Sequence, residues 1–232
     1  VWRYEDDWPL SRATNVDYFL HSGGKANTSN GDGELSSEAP ASDEPPDVYA
    51  YNPLNPVPTR GGGLCCDPAF MSSGVYDQRW IEGREDVLVY SPPPMERDVE
   101  VTGPVSVTLY AATSAADTDF TAKLVDVRPD GYVRNLTDGI IRARYRHPRQ
   151  PAEPIQPGQV YEYTIDLWAT SNVFKKGHRI RLEISSSNFP RFDRNTNTGN
   201  IIAEDADFQP ALQTILHNGA HPSHITLPIV PR

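Results

Sequence analysis

The stretch "DFTAKLVDVRPDGYVRNLT", residues 119–137, decides the fold. Residues that favour strands recur at every second position on both sides of a Pro-Asp-Gly turn at residues 129–131. Alternation with a period of two is typical of a strand that buries one face. Proline presets the backbone of such a turn and glycine accepts a positive φ. The stretch therefore predicts two antiparallel strands joined by a tight turn.

The same alternation continues along most of the chain, and helical spacing is rare. Only residues 207–217, with Pro210 in the first turn, predict a short helix. Nine or ten short strands with long irregular connections favour an all-β jelly-roll β-sandwich over an immunoglobulin-like one, with at most one or two short helices. The further predicted strands are residues 16–22, 47–53, 86–93, 99–114, 139–146, 159–171, 178–187 and 224–230.

Two long connections, residues 23–47 and 52–80, are rich in Gly, Ser, Pro and acidic residues. Connections of this length are uncommon in compact domains unless they bind something or pack on a neighbour. We therefore expect ordered excursions and not linkers. A shorter proline-rich stretch, residues 151–158, is expected to cross from one sheet to the other.

Length and charge limit the class of protein. The chain has 232 residues and a formal net charge of −10, without a basic stripe, which argues against a nucleic-acid partner. No apolar run approaches the length that crosses a bilayer, so no membrane partner is predicted. The two cysteines, Cys65 and Cys66, are adjacent and cannot form a disulfide framework or, by themselves, a zinc site.

Motifs for chemistry are weak in this sequence. No serine occupies the Gly-x-Ser-x-Gly pattern of an α/β-hydrolase nucleophile, and scattered Ser, His and Asp residues do not define a triad. The acidic stretches "GDGE" (residues 31–34) and "DTDF" (residues 117–120) fit turns better than a calcium loop. No metal site and no cofactor is therefore predicted.

Tryptophans offer an alternative function. Trp2, Trp8, Trp80 and Trp168 could form a platform on which sugars stack, and the chain would then be an independent carbohydrate-binding module. Trp168 lies in an alternating strand, however, and we expect it in the core.

Three blocks carry a family resemblance: "TSAADTDFTAKLVDVRPDGYVRNLTDGIIRARYR" (residues 113–146), "DLWATSNVFKKGHRIRLEISSSNFPRFDRNTNTG" (residues 166–199) and "HPSHITLPIV" (residues 221–230). With "VWRYEDDWPL" and "YDQRWIEGREDVLVYSPP", they resemble the C-terminal domain of the cocaine esterase and X-Pro dipeptidyl-peptidase family of serine hydrolases. That family also includes α-amino acid ester hydrolases and glutaryl acylases. The resemblance covers nearly the whole chain.

The resemblance implies a single C-terminal jelly-roll domain over residues 1–232, galactose-binding-domain-like, in which residues 1–15 connect to an α/β-hydrolase domain. Family members hydrolyse esters or amides through an acyl-enzyme, and their catalytic Ser, Asp and His belong to the hydrolase domain. No residue of this chain therefore inherits a catalytic role. The implied partners are the α/β-hydrolase and cap domains of the same polypeptide. A homo-oligomer is left open, and a cytoplasmic location is weakly favoured over a secreted or periplasmic one.

One candidate site is the glycine-rich stretch "RGGGLCC", residues 60–66. Three glycines allow close backbone approach, and Leu64, Cys65 and Cys66 would form a small apolar wall of the substrate pocket. The alternative is a bulged turn packed within this domain.

The other candidate is "EISSSNFPRFDRNTNTG", residues 183–199, a strand that runs into aromatics, arginines and asparagines. Arginine and aromatic residues are enriched in interfaces, which predicts a docking surface for the hydrolase domain. The alternative is a buried polar anchor inside the sandwich, and full burial of both phenylalanines would exclude docking. The predicted docking residues are Phe189, Arg191, Phe192, Asp193 and Arg194.

Overall fold

Two antiparallel β-sheets face each other in the computed structural model, which describes residues 3–63 and 72–231. The predicted all-β jelly-roll sandwich is confirmed, and the helical part of the described residues consists of the 3-10 turns Ile81–Gly83, Ala143–Tyr145 and Ile202–Glu204. The strands are β1 (Thr14–His21), β2 (Glu34–Ser36), β3 (Asp47–Tyr51), β4 (Leu88–Tyr90), β5 (Val99–Thr113), β6 (Asp119–Val127), β7 (Val133–Arg142), β8 (Tyr161–Phe174), β9 (Arg179–Ser185), β10 (Ala211–Leu216) and β11 (His224–Val230).

The larger sheet is organised around β5, whose 15 residues make it the longest strand. Along one side, β5 pairs with β8 from end to end; along the other, it pairs first with β11 and then with β10. The order on that side is β2-β1-β11-β5-β10-β3. The smaller sheet has the order β4-β9-β6-β7. All pairings are antiparallel, so each strand can bury alternate side chains between the sheets.

The hairpin predicted from residues 119–137 is present as β6 and β7. The Gly131 amide donates to the carbonyl of Arg128 at 2.9 Å, and Gly131 has a φ of +85°. The separate strand expected at residues 139–146 is wrong, because β7 continues without a break to Arg142. Residues 143–145 then form a 3-10 turn.

The predicted helix at residues 207–217 is also wrong, because this stretch contains β10. Its burial alternates strictly, with Ala211, Gln213 and Ile215 buried. The strand lies between β3 and β5 and completes their backbone hydrogen bonds, which overrides the weak helical preference of "ALQTIL".

Trp168 does not lie in the core, contrary to the prediction; it is 71% exposed. The register between β5 and β8 shifts here, so that Leu167 and Trp168 together lie opposite Val105. Such a bulge turns one of the two residues out of the alternation. Leu167 stays buried, whereas Trp168 takes a φ of +63° and donates its amide to Asp166 Oδ1 at 2.7 Å.

Apolar side chains fill the space between the sheets, and a second cluster lies on the outer face of the smaller sheet. There, the long connection before β4 contributes Val57, Ile81 and Val87, so β6 is buried on both faces. Residues 23–47 and the described parts of 52–80 are thus ordered excursions, and residues 151–158 link the two sheets, as predicted. Among the described residues, no helix has the length and apolar character needed to cross a membrane.

Candidate docking site

The loop that follows β9 is held in place by backbone hydrogen bonds. Residues 186–188 remain buried after the strand ends. The Phe189 amide donates to the carbonyl of Val57 at 2.9 Å, and the amide of Thr59 donates back to the Phe189 carbonyl at 2.6 Å. The amide of Arg191 donates to Thr59 Oγ1 at 3.1 Å. A segment tied to its neighbour by main-chain bonds keeps a fixed shape, so its side chains are presented in fixed directions.

The predicted docking residues lie together in this loop with their aromatic rings partly accessible. Phe189 is 37% exposed, and Phe192 is half-buried. Asp193 is exposed. The burial that would have excluded docking is therefore not found, and the docking role stays a prediction.

Arg194 is stacked between two aromatic rings. Its guanidinium carbon lies 5.6 Å from the ring centre of Phe189 and 4.6 Å from that of Phe208. Its Nη1 donates to the carbonyl of Pro53 at 3.1 Å. The three side chains line a groove of about 230 Å³. Phe208 was not identified from the sequence, because its place beside Arg194 depends on contacts distant along the chain.

Arg191 lies beneath the glycine-rich turn. Its Nε is 3.1 Å from Asp138 Oδ2, which also accepts a bond from Asn188 Nδ2 at 2.7 Å. Gly62 exchanges both backbone hydrogen bonds with Gly74, at 2.7 and 2.9 Å. A Cβ on Gly62 would lie 3.6 Å from Arg191 Nη1, so the turn packs against the guanidinium group of Arg191.

The three residues proposed for the pocket wall, Leu64, Cys65 and Cys66, lie outside the described residues. The structure describes the Gly62–Gly74 pair that precedes and follows them, which we call the glycine stem.

The second half of the loop forms a buried anchor. Asn195 is fully buried, and its Nδ2 donates to Asp117 Oδ2 at 2.9 Å and to Asp119 Oδ1 at 2.8 Å. Both carboxylates also form ion pairs, with Arg144 at 2.8 Å and Arg142 at 2.9 Å. Burial raises the pKa of Asp119 above its usual value, although the bonds from Arg142 and Asn195 oppose this shift.

Asn197 completes the anchor. Its amide donates to Asn195 Oδ1 at 2.9 Å, and its own Nδ2 donates to the carbonyl of Gln209 at 2.7 Å. Asn197 has a φ of +64°, which asparagine tolerates better than most residues. The loop therefore has a partly exposed half and an anchored half, and the anchored half matches the buried polar anchor that the sequence offered as the alternative.

A cluster of Ser, His and Asp lies elsewhere in the domain. His217 Nε2 is 3.1 Å from Ser22 Oγ and 3.0 Å from Asp47 Oδ2, while the Ser22 hydroxyl donates to the same Asp47 oxygen at 2.7 Å. Glu44 Oε2 lies 3.4 Å from Nδ1, the ring nitrogen on which a catalytic triad places its acid, but Nδ1 makes no hydrogen bond within the described residues. Asp47 accepts hydrogen bonds from both Ser22 and His217, and Tyr90 donates a third to it at 2.7 Å. The cluster therefore joins four segments of the fold.

Of the two acidic stretches, only residues 31–34 use a carboxylate to hold a turn, as the sequence indicated; in residues 117–120, Asp119 lies in β6, and Asp117 and Asp119 pair with arginines. Asp32 accepts backbone bonds from Gly23 at 3.1 Å and Lys25 at 3.2 Å. In the part of the chain that the structure describes, no group of three or more His, Cys, Asp or Glu side chains is arranged to hold a metal ion.

Comparisons with known proteins agree with this architecture. Residues 1–226 match the family described as the X-Pro dipeptidyl-peptidase C-terminal non-catalytic domain. The chain is 48% identical to a cocaine esterase from Rhodococcus sp. (strain MB1 Bresler), over 100% of this chain and 40% of that protein.

Two solved structures are similar along almost the whole chain. An aminopeptidase from the marine sediment archaeon Thaumarchaeota archaeon superposes with a TM-score of 0.86 and 32% identity, covering 100% of this chain and 39% of that one. An α-amino acid ester hydrolase has a TM-score of 0.82 and 29% identity, covering 99% and 38%. The chain thus spans about two fifths of the length of these relatives.

Proposed function

Because the chain belongs to the X-Pro dipeptidyl-peptidase C-terminal non-catalytic domain family, we propose that it stabilises and completes a serine hydrolase whose catalytic residues lie in other domains. Its partners are the α/β-hydrolase and cap domains of the same polypeptide, reached through a connector at residues 1–15. The intact enzyme hydrolyses an ester or amide bond through an acyl-enzyme, with a histidine base and an oxyanion hole in the hydrolase domain.

The docking role is supported by one feature of the loop after β9: its side chains are partly exposed, whereas its backbone is held by hydrogen bonds. Phe189 and Arg194 form a stacked, partly exposed pair on a backbone that is hydrogen-bonded to residues 57–59. Aromatic residues and arginine dominate interface energetics, and side chains that are already ordered lose little entropy when they bind. This pair is suited to serve as an anchor for the hydrolase domain.

The pocket-wall role is supported by the glycine stem. Two paired backbone segments, resting on Arg191, fix the two ends of the stretch that contains Leu64, Cys65 and Cys66. We propose that this stretch lines the substrate pocket and that the stem sets its position.

Docking is tested by hydroxyl-radical footprinting of the intact polypeptide. Radical oxidation reports side-chain accessibility, and the fully unfolded protein gives the intrinsic reactivity of each residue. We expect Phe189 to be oxidised at least about fivefold less than its exposure in this domain implies, because the hydrolase domain covers it.

Leu212, on the outer face of β10 and 52% exposed, is the internal reference. We expect it to be oxidised in proportion to its exposure. Oxidation of Phe189 in the same proportion would refute docking at this loop and leave membership of the family untouched.

A further inference from the structure

Four charged side chains meet where the long connection before β4 covers the smaller sheet. Glu82, in the 3-10 turn Ile81–Gly83, is 1% exposed and accepts a bond from Arg181 Nη1 at 2.6 Å. Glu183 is 4% exposed and lies 3.0 Å from Lys123 Nζ. Lys123 also donates to Gln78 Oε1 at 2.9 Å. Residues 78–87, which we call the cover segment, are thus joined to β6 and β9 by buried polar contacts.

Each of the two carboxyl groups has one oxygen left over. Among the described residues, Glu82 Oε1 and Glu183 Oε1 are both buried and have no hydrogen-bond donor. Arg181 and Glu183 lie two residues apart on the same face of β9, so the Glu82 carboxyl group that Arg181 holds lies beside that of Glu183. Two ionised carboxylates repel each other in this arrangement, whereas one proton between them supplies the missing donor.

We propose that Glu82 and Glu183 share one proton, and that this proton fastens the cover segment to the smaller sheet, so that the segment loosens as the pH rises. The device is a pH-sensitive latch between a connection and the sheet beneath it. It does not depend on the docking role.

Within residues 3–63 and 72–231, few charged groups lie around Glu82. Arg181 and Glu183 face it from β9, and Lys123 lies beyond Glu183 on β6. On its own segment, Arg84 and Asp86 pair with each other at 2.7 Å. Residues 27–29, which pack against the turn through the bond from the Ser29 amide to the Glu82 carbonyl, are uncharged.

The pKa of Glu82 agrees with this geometry. Burial, followed by the charge of Glu183, raises it well above the usual value of 4.5, although Arg181 opposes the shift. A carboxyl group with a raised pKa in the folded state keeps its proton there after the open state has lost it. Its stabilising effect is therefore complete below pH 4.5 and is lost as the pH rises through the folded-state pKa.

Hydrogen–deuterium exchange of the intact polypeptide tests the latch. Peptides that contain the cover segment report its opening through the amides of Ile81, Glu82 and Val87, which bond within the segment. After correction for intrinsic exchange, we expect their opening to increase by up to about tenfold per pH unit, and by at least about tenfold in total, between pH 5 and pH 8, and to level off above the folded-state pKa of about 8. Peptides from β5 serve as the reference that does not change.

Variants distinguish a shared proton from other causes of pH-dependent opening. Glu82→Gln carries a permanent N–H that can donate to Glu183, so we expect protection that no longer depends on pH; Glu183→Gln makes the same exchange from the other side. Glu85→Gln, an exposed carboxyl on the same segment, should keep the wild-type slope. A flat wild-type profile overturns the latch, as does a wild-type slope retained in both the Glu82 and Glu183 variants.

Discussion

The two halves of the loop after β9 both contain polar residues but lie in opposite environments. The half we call the surface half, Phe189 to Arg194, contains two aromatics and two arginines that are partly exposed. The half we call the anchor half, Asn195 to Asn197, is buried, and Asn195 donates to two buried carboxylates. The contrast shows that polar residues in such a loop stabilise the fold only where their partners are also removed from water.

The anchor half also explains why the surface half can be rigid. Asn195 ties the loop to β6 through Asp119, and Tyr51 donates to the Asn195 carbonyl at 3.0 Å from β3. The loop is therefore fixed at its end by residues from both sheets. Aromatic side chains that project from such a frame are ordered before any partner arrives.

The largest loss of stability is expected from Asn195→Ala. The substitution removes a donor from two buried carboxylates at once, and we expect the free energy of unfolding of the 232-residue chain to fall by about 3 kcal/mol. Urea unfolding followed by tryptophan fluorescence measures the change. Asn200→Ala, at an exposed position of the same loop, should cost less than about 0.5 kcal/mol. Equal losses in the two variants would contradict the division into halves.

An intermediate loss of stability is expected from Arg191→Ala, because the Arg191 side chain is only partly exposed. Asp138 loses its ion pair but keeps the bond from Asn188, so we expect a loss of about 2 kcal/mol in urea unfolding. Because Arg191 also supports the glycine stem, the KM of the intact enzyme should rise several-fold, with a smaller change in kcat. Arg191→Lys keeps the charge and should lose less stability. An unchanged KM in the Ala variant would contradict the role of the stem.

Much of this fold could be predicted from the sequence, because alternation and turn residues act locally. The β6–β7 hairpin follows from its own residues, with Gly131 at the one position that needs a positive φ. The errors arise where distant contacts decide the outcome. β10 is a strand because β3 and β5 lie on either side of it, and Trp168 is exposed because of a register shift against β5.

The candidate site could be predicted in part for the same reason. The composition of residues 189–194 indicates an interface, and family resemblance places it in a specific domain. The partners of Arg194 and Asn195 could not be predicted, because Phe208 and Asp117 are brought to them only by the folded chain. The carboxyl pair of Glu82 and Glu183 was likewise not detectable, since the two residues are far apart in sequence and meet only when the long connection covers the sheet.

The smallest effect on stability is expected from Phe189→Ala, and it distinguishes the halves most directly. The ring is 37% exposed and stacks on Arg194, so its loss should cost the 232-residue chain no more than about 1 kcal/mol. In the intact polypeptide the same change should cost at least about 1 kcal/mol more, because a buried aromatic anchor is removed. Calorimetric unfolding of both forms measures the difference, with Leu212→Ala as the control on another exposed surface. Equal costs in the two forms would mean that this ring contacts no other domain, and the surface half would then be only the exposed end of the anchor.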